Sequence, residues 1–201
     1  MARIFDKILV EGVRKGHIPA RTRDARAWFR DRAKRTMILS KSRFISRSDK
    51  ERLKEQPTAG TGSMFLFKYD PKTKRELPYY DIFPLTFVIE EYGDGFLGMN
   101  LHYLPPQYRA KLMDQLYELA NNQRYDERTK LRMSYQLLKG ASRFKLFEPC
   151  VKRYLYSHVK SQFMYIYPSE WDIALFLPLE AFRKAGKQVV WYDSKKKAGV
   201  L

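Results

Sequence analysis

From Asp24 to Met37 the apolar positions fall at helical spacing. Ala25, Trp28, Phe29, Ala33 and Met37 lie near one face, and Arg23, Arg26, Arg30, Arg32, Lys34 and Arg35 occupy the rest. Ser48-Asp49-Lys50-Glu51 fits a capping box that opens a short helix to Glu55. Between them, residues 40–48 alternate basic and hydroxyl side chains, with Lys41, Arg43 and Arg47 as the cations. Such residues donate well to phosphate oxygens, and they suit a solvated surface loop equally well. Residues 56–63 (QPTAGTGS) read as a linker.

The period then changes to that of strands. Residues 64–69 (MFLFKY) predict one strand, 83–90 (FPLTFVIE) a second and 96–103 a third. Asp94-Gly95 marks a tight turn between the last two. Pro105 and Pro106 open a helix that runs to Ala120. Its inward positions are Leu112, Met113, Leu116, Tyr117, Leu119 and Ala120. Beyond it, Leu131, Met133 and Tyr135 alternate like a strand. A helix is expected after Pro149, with Val151, Tyr154, Leu155 and His158 on one face. Residues 162–167 and 173–177 read as strands and 178–185 as a short helix. The lysine-rich end, 194–199, reads as a mobile tail.

These elements predict an α+β fold. The expected core is a small, partly open antiparallel β-barrel with packed helices. The expected division is a basic, mostly helical N-terminal arm over 1–55, a linker over 56–63, the core over 64–190 and a basic tail over 191–201.

Charge sharpens that division. The chain carries 39 Lys and Arg against 22 Asp and Glu, a formal net charge of +17. Residues 1–55 hold roughly +10, residues 56–123 roughly −2 and residues 124–201 roughly +9. A charge that large repels itself and is relieved by a polyanion. Nucleic acid, an anionic membrane surface and an acidic protein are the candidates. Apolar residues make up 44% of the chain, enough for a packed core and too many for a disordered one. No run approaches the roughly 18 apolar residues that span a bilayer, and Asp6, Lys7 and Glu11 break up any signal-peptide core at the start. No membrane partner is expected.

Candidate chemistry is sparse. Cys150 is the one cysteine, so an internal disulfide or a multi-cysteine zinc site cannot form. An inert buried thiol and a reducing compartment are expected. His17, His102 and His158 show no metal-ligand spacing and are read as structural, and no metal or cofactor is expected. The sharpest enzymatic reading is a metal-dependent nuclease built on Asp81, Glu90 and Glu91, but the lysine that such a site wants after the second carboxylate is absent. The competing reading has Asp81 cap a turn and Glu90 and Glu91 bracket a hairpin. Tyr79-Tyr80 and Tyr165-Ile166-Tyr167 can stack on bases, and in strands such aromatics more often fill a core.

Residues 77–85 (LPYYDIFPL) and 95–105 (GFLGMNLHYLP), with Pro168-Ser169-Glu170-Trp171 and Phe176-Leu177-Pro178 further on, resemble a family from contractile-tailed phages. Its members are described as DNA end protector or head-completion proteins. The resemblance covers about residues 64–185. It implies a non-enzymatic virion protein, assembled in the host cytoplasm, that sits on the ends of packaged double-stranded DNA. On that reading the phosphate contacts are Arg23, Arg26, Arg30, Arg32, Lys34, Arg35, Lys41, Arg43, Arg47, Lys152, Arg153, Lys195, Lys196 and Lys197. The alternative is a structural tail or baseplate subunit. Its basic arms would then clamp acidic virion proteins, the other phage structural subunits, and never meet DNA.

Overall fold

The computed structural model describes residues 4–17, 22–35, 60–120, 124–125, 127–141, 145–166, 170–177 and 179–200. Strands β1 (Met64–Leu66), β3 (Leu85–Tyr92), β4 (Gly95–Asn100), β5 (Val151–Leu155) and β6 (Met164–Ile166) form one antiparallel sheet. Their order is β5-β4-β3-β1-β6. Strands β2 (Tyr80–Asp81) and β7 (Phe182–Arg183) pair separately.

Side chains of a strand alternate between faces, and here both faces are apolar. Met64, Leu66, Leu85, Phe87, Ile89, Met99, Met164 and Ile166 join the larger core on one side. Phe65, Phe67, Val88, Phe96 and Tyr154 fill a second, aromatic core on the other, with Tyr69 and Phe163. Phe67 meets Phe96, Tyr154 and Phe163 edge-on at 5.0–5.8 Å, the arrangement that aligns positive ring edges with negative faces. Of the tyrosines expected to choose between base stacking and core, Tyr79 and Tyr165 are half-buried against the larger and the aromatic core respectively, Tyr80 is half-buried, and Tyr167 lies outside the described residues. Two glycines permit this packing. A Cβ on Gly95 would overlap the carbonyl oxygen of Tyr154, and one on Gly98 would overlap the Thr86 methyl group.

The expectation of a partly open barrel is corrected. The sheet is open, with β5 and β6 at its two ends, and the described residues close no barrel. The larger core is instead covered by helices: α3 (Pro106–Ala120), α4 (Glu127–Ala141), α5 (Trp171–Phe176) and α6 (Lys187–Lys197). Two more, α1 (Ile4–Arg14) and α2 (Arg23–Arg35), lie in the stretch expected as an arm. Ile8 of α1 and Phe29 of α2 are buried in the same core, so these described helices are docked on it.

Several elements differ from the sequence expectation. Residues 151–155 form β5, not a helix, because they pair with β4 from Met99↔Val151 to Gly95↔Leu155. Leu131, Met133 and Tyr135 belong to α4, whose buried residues Ser134, Leu138 and Ala141 follow the helical repeat instead. All six residues of α5 are buried, so its sequence shows no period and reads as a strand. Residues 182–183 are a strand where a helix was expected. The third strand stops at Asn100, whose side chain accepts a hydrogen bond from the His102 amide and starts a 3-10 turn over Leu101–Tyr103. The lysine-rich end is helical, held through buried Val190 and Ser194. The expected helix at 48–55 and the linker up to residue 59 lie outside the described residues.

Candidate nucleic-acid interface

The phage-like signature forms a buried polar network. Asp81 is 3% exposed. One of its oxygens accepts from the amides of Phe83 at 3.0 Å and Ala181 at 3.2 Å. The other meets His102 Nδ1 at 2.7 Å and Asn100 Nδ2 at 3.2 Å. Burial opposes its charge, but His102 and these hydrogen bonds outweigh it and hold the carboxyl below its ordinary range. Arg109, also buried, donates to the carbonyls of Leu104, Leu175 and His102 and to Glu180 Oε1 at 2.7 Å. Trp191 of α6 donates to the same His102 carbonyl at 2.8 Å. The motif therefore ties the β4 end, α3, α5 and α6 together.

The nuclease reading loses its geometry here. Asp81 is enclosed and does cap the turn at Phe83. Glu91 accepts from the amide and hydroxyl of Thr61, which leaves it bracketing the hairpin. Among the described residues, no three His, Cys, Asp or Glu side chains are grouped to hold a metal ion. Cys150 is fully buried and its thiol is pushed up to about 12, mainly by burial. His17 stacks on Trp28 at 5.1 Å, and His158 Nδ1 lies 2.8 Å from the Asp70 carbonyl oxygen.

The cations singled out in the sequence fall in several places. Arg23 is exposed at the start of α2. Arg26 lies 3.7 Å from Asp114 and is only 12% exposed. Arg30 bridges Asp114 at 2.6 Å and Asp172 at 3.3 Å, with its guanidinium over Phe176. Arg32 pairs with Glu11 of α1 at 2.8 Å. These pairs dock α2 onto α3, α5 and α1. Lys34 and Arg35 lie in the last turn of α2, and Lys41, Arg43 and Arg47 lie outside the described residues. Arg153 is exposed on β5, paired with Asp94 and stacked over Tyr92 at 4.3 Å.

Lys152 and Lys197, far apart in sequence, come within electrostatic range of each other. Lys152 sits over the Tyr103 ring at 4.5 Å. Burial lowers its pKa, and the nearby Lys197 pushes the same way. With Lys195 and Lys196 this makes a cationic region at the end of α6, of the kind that attracts phosphate.

A second cationic group was missed in the sequence. The β2–β7 pairing sets Tyr80 opposite Arg183. Lys184, in the left-handed region at φ 67°, donates to the carbonyls of Arg75 and Leu77 at 2.8 Å. Of the cations here, Arg183 and Lys187 line one surface, and the Lys184 ammonium is held by the backbone at residues 75 and 77. A groove of about 350 Å³ lies there, lined by Ile82, Glu180, Phe182, Arg183 and Lys187 among others. The run Arg183-Lys184 was visible, but reading 178–185 as a helix hid its pairing with residues near 75.

The Arg30 bridge has a measurable signature. Burial raises Asp172 to about 6, against the pull of Arg30 and Arg26. Between the unfolded value of 3.8 and about 6, the folded chain binds a proton that the unfolded chain has lost. Asp172 therefore contributes a fall in stability as pH rises through that window. Asp172→Asn should remove it. The stability of wild type relative to the variant should drop by about 2 kcal/mol from pH 4 to pH 6.5, read by urea unfolding at each pH.

A mixed helix-and-sheet protein with its cations gathered on separate surfaces is the class these observations define. The sequence profile of the phage T4 terminal DNA protecting protein family matches residues 6–197, and the chain belongs to that family. The match extends the resemblance seen at 64–185 across the N-terminal helices as well. Comparison with curated proteins and with solved structures gives no match. No described helix is long and apolar enough to cross a membrane.

Proposed function

We propose that this chain is a non-enzymatic virion protein that binds the ends of packaged double-stranded phage DNA and shields them from exonucleases. The membership of a terminal DNA protecting family carries this reading. The net charge of +17 and the cationic surfaces at Lys152 with Lys195–Lys197, and at Arg183 with Lys187, supply phosphate contacts that need no base sequence. Lys41, Arg43 and Arg47 remain proposed contacts of the same kind. Arg26 and Arg30 are spent on Asp114 and Asp172, so their proposed share in DNA contact is small. Completing the head is a further role consistent with a site at the genome end.

The test is protection of a linear duplex from a duplex-end exonuclease. The expected result is that saturating protein preserves the linear DNA while a nick-directed endonuclease still cuts it. Equal slowing of both enzymes would reduce the activity to general coating. No protection at all, with binding to acidic virion proteins, would favour the tail or baseplate subunit.

A further inference from the structure

We propose that the outward face of α6 is the surface that meets the terminal base pair of a DNA duplex. Tyr192 and Val189 would lie against the base pair, and Lys195 and Lys196 on the phosphates beside it. This rests on the end-binding reading above and adds where the end is held.

The inward contacts of α6 fix its rotation. Val190 and Ser194 are buried, and Trp191 is tied to the His102 carbonyl at 2.8 Å. Asp193, the one carboxylate of the helix, hydrogen-bonds Tyr79 and helps to raise that phenol's pKa after burial itself. What remains outward is Lys187, Gln188, Val189, Tyr192, Lys196 and Lys197, with Lys195 at the margin. Positions 189 and 192 are one turn apart and adjacent on the surface. Val189 is 52% exposed and Tyr192 58%. By contrast, the exposed Tyr92 carries the Arg153 guanidinium on its ring.

The face therefore combines an uncovered apolar patch with positive charge, and its only acid is turned inward. Duplex DNA along its length presents phosphates, sugars and base edges, which match the charge but not the patch. Only at an end does it present a flat, apolar base pair with phosphates next to it. That end matches both halves of the surface. Stacking of a base on an aromatic side chain corresponds to roughly five- to a hundredfold in affinity.

The experiment uses the full chain and two duplexes of equal length, one open and one closed by hairpin caps. A second readout is the fluorescence of 2-aminopurine placed at the terminal or an internal pair. Wild type should prefer the open duplex and change the emission of the terminal probe only. Tyr192→Ala should cut that preference about tenfold, leave binding to the closed duplex unchanged and abolish the terminal signal. Tyr192→Phe should restore both. If wild type prefers open ends and Tyr192→Ala keeps the full preference and signal, α6 is not the end-facing surface although end binding stands. If wild type shows no preference for open ends, the end-binding reading fails and this proposal with it.

Discussion

Arg109→Leu is expected to lower the unfolding free energy by about 4 kcal/mol, the range seen when one partner of a buried ion pair is removed. The guanidinium is 1% exposed and its donors reach four acceptors on three segments of chain. Leucine restores apolar volume but takes the guanidinium away from the Glu180 carboxylate, whose side chain is only 5% exposed. The carbonyls of Leu104 and Leu175 lose this donor as well, while that of His102 keeps Trp191. Because those carbonyls belong to the turn after β4 and to α5, the loss loosens the seat of Trp191 and hence of α6. Arg109→Lys should recover little, since one ammonium cannot span the fork. Adding Glu180→Gln to Arg109→Leu should recover stability, because the buried charge that faced the guanidinium is then removed with it. Urea unfolding of the four proteins measures this, and a loss under about 1 kcal/mol for Arg109→Leu would contradict the role assigned to the network.

The second large effect concerns DNA. Lys195→Glu, Lys196→Glu and Lys197→Glu together should weaken duplex binding at least about tenfold at physiological salt. The slope of log affinity against log salt should fall by roughly 2 to 3, as about three phosphate contacts are lost. Folding should survive, since α6 is anchored through Val190, Trp191 and Ser194. Arg26→Gln with Arg30→Gln should do the opposite. Those side chains hold α2 to Asp114 and Asp172, so stability should fall while the salt slope stays. An unchanged slope in the lysine variant, or a steep loss of slope in the arginine variant, would reverse the assignment of surfaces.

This contrast shows what the sequence could and could not reveal. Helical spacing from Asp24 identified α2 closely, and the Pro105-Pro106 start identified α3. The hairpin at Asp94-Gly95 was equally plain, because turn chemistry is local. Arg26 and Arg30 looked like solvated cations, since nothing local announces that α2 will land beside acids 84 and 142 residues beyond Arg30. Burial on every side erased the period of α5, and pairing with β4 overrode the helical look of residues 151–155. The signature motif marked the family correctly, but its residues serve the interior: Asp81, Asn100 and His102 bond to one another and none reaches the surface. The lysines at the end of the chain were read as a tail because their helix carries few apolar residues, and the contact of its inner face with the 3-10 turn is long-range.

Competition between linear and covalently closed duplex DNA of equal length and sequence decides whether the chain recognises ends. The linear form should bind more tightly and keep that advantage at physiological salt, because the advantage comes from the end and not from the phosphates that both forms share. Equal affinity for the two forms, disappearing together as salt rises, would contradict it and leave only the attraction of a basic protein for a polyanion.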